Sequence, residues 1–106
     1  MEASAAMIMT TVKDEKDAAE MAGFLIGERL AACVQEVAIR SHYRWEGETK
    51  SAPEILLLIK TAEDRIDDAI AAIRRRHGYE LPEILVTRFS GGLDAYLDWV
   101  RDETRP

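Results

Sequence analysis

Cys33-Val34-Gln35-Glu36-Val37-Ala38-Ile39-Arg40-Ser41-His42-Tyr43-Arg44-Trp45 alternates with a period of two, and that alternation decides the fold. Val37, Ile39, Ser41, Tyr43 and Trp45 share one face of an extended strand, while Glu36, Ala38, Arg40, His42 and Arg44 share the other. Glu46-Gly47-Glu48 is a turn signal, and the unbroken apolar run Ile55-Leu56-Leu57-Leu58-Ile59, closed by Lys60-Thr61, reads as the next strand. Toward the N-terminus, residues 6–12 form a short apolar strand that Lys13-Asp14 breaks. Asp14 can cap a helix in which Ala18, Met21, Ala22, Leu25, Ile26 and Arg29 recur at steps of three and four. Gly23 and Gly27 read as packing sites on that helix. Toward the C-terminus, Asp64 can cap a second helix with Ile66, Ile70 and Ile73 on one face, and His77 prolongs that stripe. Arg74, Arg75 and Arg76 suit the negative end of its dipole, and Gly78 suits the position just past it. Leu81-Pro82 leads into a strand over residues 84–89. Ser90-Gly91-Gly92 then opens an amphipathic helix carrying Leu93, Tyr96, Leu97 and Val100, with Trp99 beside that face.

The order β-α-β-β-α-β plus a terminal helix predicts an α+β protein with the ferredoxin-like plan. Two split βαβ units give an antiparallel four-stranded sheet with its helices on one face. At 106 residues the chain makes a single domain, 1–106. Hydrophobic residues at 47% and charged residues at 32% are those of a globular domain and exclude a disordered one. One cysteine excludes an internal disulfide framework. The net charge of −6, shared equally between the stretch ending at Pro53 and the stretch after it, argues against a nucleic-acid partner. Residues 1–12 have no basic n-region, and no run approaches the about 18 apolar residues of a membrane helix. A cytoplasmic protein with no membrane partner is therefore expected.

Two features call for a second copy of the chain. The run 55–59 is apolar on both faces, whereas helices on one side of the sheet cover only one. The strand 33–45 would span about 40 Å unbent, more than the about 33 Å diameter of a compact chain this size. Tyr43 and Trp45 should then overhang and be buried by a partner, unless a bulge folds the strand back. A closed homo-oligomer is the expectation.

Few residues carry chemistry. There is no glycine-rich phosphate loop, no HExxH and no nucleophile elbow. Thr11-Val12-Lys13-Asp14 lacks the anion cradle that an acylphosphatase would need after the first strand. Cys33, at a strand start, reads first as a buried structural thiol and second as a nucleophile or ligand. His42 falls on the polar side of its strand. His77 begins His77-Gly78-Tyr79-Glu80-Leu81-Pro82-Glu83, where an imidazole, a phenol and two carboxylates gather in one turn. Those donors suit a divalent transition metal, and a helix C-terminal cap is the competing role for the histidine.

Five segments together resemble the CutA family of divalent-cation tolerance proteins. They are Leu30-Ala31-Ala32-Cys33-Val34, Tyr43-Arg44-Trp45-Glu46-Gly47, residues 54–61, His77-Gly78-Tyr79-Glu80 with Pro82-Glu83, and Tyr96-Leu97-Asp98-Trp99. The resemblance implies a homotrimer of ferredoxin-like subunits joined through their long strands, a link to copper and other divalent ions, and no enzymatic activity. On the reading of a weak divalent-metal binder, His77 is the first ligand candidate and Cys33 a distant second. The copper site proposed in some members uses a cysteine and two histidines; the aligned positions here are Thr10, Arg76 and His77. The alternative is a regulatory module of the PII kind, binding a small metabolite or anion between subunits near Lys60, Tyr79, Glu80 and Glu83. A scaffold whose purpose is the oligomer itself is a third reading.

Overall fold

The computed structural model describes residues 5–106. Its strands are β1 (Ala5–Val12), β2 (Cys33–Trp45), β3 (Glu48–Ala62) and β4 (Ile84–Arg88), and its helices are α1 (Glu15–Gly27), α2 (Ile66–Arg76) and α3 (Asp94–Glu103). The strands form one antiparallel sheet in the order β2-β3-β1-β4. This is the predicted βαββαβ plan with a terminal helix.

α1 starts where the sequence places it, because the Asp14 carboxylate accepts the Asp17 N–H at 2.8 Å. Its Ala18, Met21 and Leu25 meet Ala69, Ala72 and Ile73 of α2 over Ile8, Val12, Leu57 and Ile59 of the sheet. Leu57 and Ile59 are fully buried there, so truncating either to alanine should cost about 2–5 kcal/mol. β2 keeps the predicted limits and pairs one-to-one with β3 from Cys33↔Lys60 to Trp45↔Glu48, without a bulge. Glu46 (φ 50°) and Gly47 (φ 80°) both take left-handed conformations, the two-residue turn that matches strand twist.

Four expectations need correction. β3 is 15 residues long, because Glu48–Glu54 finds a full partner in β2 before its apolar run begins. β1 pairs only as far as Val12↔Ile55, so this stretch has one neighbour, a setting that tolerates Pro53. The Asp64 carboxylate does not cap α2: it lies in a 3-10 turn (Glu63–Arg65) and is gripped at both oxygens by Arg105, at 2.8 and 2.7 Å. α2 ends on an extended His77 (φ −75°, ψ 137°), and Gly78 takes no left-handed turn.

The last correction concerns α3, which packs against β3 and β1 but on the face away from α1 and α2. Lys60 alternates with Leu57 and Ile59 onto that face, and its ammonium lies 5.5 Å from the Tyr96 ring centre of α3. Ala5 and Ala62 are small enough to admit the helix there and are buried. Arg29, itself at φ 57°, donates to the carbonyls of Arg105 (2.6 Å) and Asp102 (3.0 Å) and so closes the end of α3.

α3 covers only one end of that face. Met7, Met9, Leu56 and Leu58 stay half-buried, and Leu85 and Val37 are 54% and 42% exposed. The β2–β3 hairpin runs on past Val12 as two strands, giving extents of 47 × 26 × 21 Å. Tyr43, at 44% exposure, and the half-buried Trp45 sit on that overhang.

Candidate functional site

A cleft of about 770 Å³ opens between the overhanging hairpin and the turn that joins α2 to β4. Tyr43, Trp45 and Glu54 line it from the hairpin, and Tyr79, Glu80 and Glu83 line it from the turn. Its volume falls in the range of small-molecule sites. It exists because β1 stops at Val12 while β3 continues, leaving the β3 edge for the turn to lie beside.

His77 holds that turn in place. Its position four residues beyond Ile73 directs it onto β1, where Nε2 lies 2.8 Å from the Thr11 carbonyl and 3.2 Å from the Thr10 hydroxyl. A carbonyl only accepts, so Nε2 carries the proton. Nδ1 accepts the Tyr79 N–H at 3.1 Å, which completes the neutral Nε2–H tautomer. The two rings lie 4.9 Å apart, and the Tyr79 hydroxyl donates to Glu54 at 2.7 Å. Burial, and then the Glu54 carboxylate it bonds, push the Tyr79 phenol far above the ordinary tyrosine range. Glu54, as the partner of Tyr79, and Thr11, whose carbonyl meets His77, are site residues that sequence reading missed. For Glu54 there was a signal: it stands just before the apolar run and alternates onto the face of Leu56.

The other candidates are scattered within one subunit. Cys33 is half-buried on the face opposite the one His77 reaches, with Lys60 directly across from it. Register places it on the order of 15 Å from the His77 anchor at Thr10. Lys60 stands six residues along β3 from Glu54, about 20 Å from the carboxylate that holds the Tyr79 hydroxyl. Lys60 does not line the cleft that holds Tyr79, Glu80 and Glu83. Arg76 turns toward α1, its guanidinium 4.1 Å from the Phe24 ring centre. Glu80 and Glu83 are exposed and His42 is exposed on the hairpin.

The donor set at Thr10, Arg76 and His77 does not fit a copper ion: one hydroxyl, one cation stacked on an aromatic ring, and one imidazole with both nitrogens engaged. Among the described residues, no three His, Cys, Asp or Glu side chains converge to hold a metal. No described helix is long and apolar enough to cross a membrane.

Comparison with known proteins agrees with the architecture. The family model of the CutA1 divalent ion tolerance protein matches residues 6–103. The divalent-cation tolerance protein CutA of Thermus thermophilus is 38% identical over 99 residues, covering 92% of this chain and 96% of that protein. Protein CutA, chloroplastic, of Arabidopsis thaliana is 35% identical over 100 residues, and the chain spans 55% of its length. The crystal structure of CutA from Xylella fastidiosa superposes with a TM-score of 0.94 at 37% identity, over 96% of this chain and 99% of that one. CutA1 from Ehrlichia chaffeensis superposes at 0.94 with 27% identity over the whole of both chains. On these matches and the fold they share, the chain belongs to the CutA1 family of divalent ion tolerance proteins.

Proposed function

We propose that this protein works in divalent-cation tolerance as a non-enzymatic homotrimer, and that copper or another divalent ion binds at sites which two subunits complete between them. The observation that carries the reading is the sheet face away from α1 and α2. Met7, Met9, Val37, Leu56, Leu58 and Leu85 make one apolar surface that α3 leaves partly open. A surface of this kind is buried against a partner in stable oligomers. The overhanging hairpin supports the same reading, since it carries Tyr43 and Trp45 past the body of their own subunit. The metal part follows from the names of the relatives, and the scatter of donors in one subunit directs it to the boundaries between copies.

The test is calorimetric titration of Cu²⁺ and Zn²⁺ into the native protein and into Leu85→Glu, which places a charge on that face. Binding by the native assembly and its loss in the dissociated subunit is the expected result. Equal binding by both refutes the shared site.

The cleft favours one alternative, a PII-like regulatory module that takes a small metabolite or anion between subunits. Glu54, Glu80 and Glu83 make its lining acidic, so an anion would require Lys60 of the partner subunit to enter it. A thermal-shift screen with nucleotides and small acids tests this: a rise in Tm with one of them supports it, and no response removes it.

A further inference from the structure

We infer that His77 is the latch of the turn 78–83, a positioning residue and not a metal ligand, so that any link of this chain to divalent ions bypasses its imidazole. The inference takes from the reading above only the choice of copper as a probe.

The hydrogen bonds leave no alternative assignment of the ring. Thr11 offers only a carbonyl to Nε2, and Tyr79 offers only an N–H to Nδ1. A metal bound at Nδ1 would displace the Tyr79 amide; one bound at Nε2 would displace the Thr11 carbonyl. Either step frees the turn from β1. The same two bonds set where Tyr79 stands, because its N–H is fixed on His77 while its hydroxyl reaches Glu54 across 2.7 Å. His77 thus ties three segments together: the end of β1, the turn, and the β3 edge that β1 leaves unpaired. The surroundings serve a latch better than a metal. Thr10 adds a neutral hydroxyl 3.2 Å from Nε2, and Arg76 brings a positive charge on the adjacent residue. Glu80 and Glu83 follow Tyr79 in the turn, exposed and apart from the ring nitrogens, which are already engaged.

The experiment compares the native chain with His77→Ala and His77→Asn. Cu²⁺ alone is titrated by calorimetry, amide exchange is followed at Tyr79, and tyrosine ionisation is followed by absorbance. Copper affinity should agree within about twofold among the three proteins. The Tyr79 amide should exchange at least about tenfold faster in His77→Ala. It should be slowed again in His77→Asn, because a side-chain carbonyl at this position can accept the N–H two residues on. The strongly alkaline ionisation of Tyr79 should move toward the ordinary range in His77→Ala and return in His77→Asn. A merely space-filling histidine would not give that rescue. A fall in copper affinity of about tenfold or more in both variants, with loss of imidazole nitrogen coupling from the copper EPR spectrum, overturns the inference. So does a Tyr79 amide that exchanges at the native rate in His77→Ala. If His77→Ala fails to fold, His77→Asn carries the copper comparison. If the native protein binds no copper, the metal part of the proposed function fails, while the exchange and ionisation results still decide the latch.

Discussion

Leu85→Glu separates a subunit that stands alone from one that hides its sheet. Leu85 lies opposite Met9 on the face away from α1 and α2, and it is 54% exposed in the single subunit. An isolated chain should therefore accept the glutamate with a change within about 0.5 kcal/mol, as at other surface positions. In an assembly that covers this face, two losses add. The leucine surrenders the half of its burial that only assembly supplies, about 1 kcal/mol from a full value near 2. The carboxylate also enters an apolar contact without a counter-charge, at about 3 kcal/mol or more. Together these amount to about 4 kcal/mol for each contact, on the order of a thousandfold in its dissociation constant. The assay is light scattering across a dilution series, with unfolding followed by circular dichroism. Expected are a Tm of the dissociated subunit set by its own core and a mass that falls to one chain at micromolar concentration. Ile26→Glu on the outer side of α1, where the native residue is 43% exposed, should leave the mass unchanged. A Leu85→Glu protein that keeps the native mass at every dilution refutes the reasoning.

Tyr79→Phe deletes the bond to Glu54 and leaves that carboxylate without its donor, so it should cost about 1–3 kcal/mol in urea unfolding. Because burial and Glu54 raise the Tyr79 phenol in the folded state, its contribution is complete below about pH 10 and is lost as pH climbs through the folded value. The alkaline loss of stability should accordingly be smaller in Tyr79→Phe. Asp64 shows the opposite sign. The hydrogen bond from Arg105 holds its carboxyl below the ordinary range, so the stabilisation is present above about pH 4 and fades as pH falls through the folded value. Asp64→Asn should remove that acid dependence; the pair is largely exposed, so at neutral pH the variant should differ by no more than about 1 kcal/mol. Arg29→Ala removes the two donors that close α3, at about 2 kcal/mol, and lowers Tm by about 8 °C or more. Hydrogen exchange in that variant should rise first in Asp94–Glu103.

Local signals were legible and distant ones were not. β2 could be bounded to the residue because the pattern from Val37 to Trp45 keeps a period of two and Glu46-Gly47 supplies the turn that ends it. The Asp14 cap was legible for the same reason, since donor and acceptor lie three residues apart. β3 was read too short because its first seven residues have no apolar pattern of their own and become strand through pairing with β2. Asp64 looked like a helix cap, and only the approach of Arg105, 41 residues away, turned its carboxylate to another use. The face taken by α3 follows from the small side chains of Ala5 and Ala62 and from Arg29 at the far end of the helix. No periodicity reports either contact. At the site, His77 and Tyr79 were found because imidazole and phenol are conspicuous in a short turn. The Thr11 carbonyl, 66 residues from His77, and the Glu54 carboxylate, 25 residues from Tyr79, were not, because only the folded topology brings them within reach.

The most direct test is the mass of the native protein in solution, measured by light scattering at micromolar concentration. Three times the 11.9 kDa chain, about 36 kDa, is predicted: the apolar sheet face and the overhanging aromatic residues argue for a closed assembly, and the family resemblance implies that it is a trimer. A folded, monodisperse species with the mass of one chain would contradict the account.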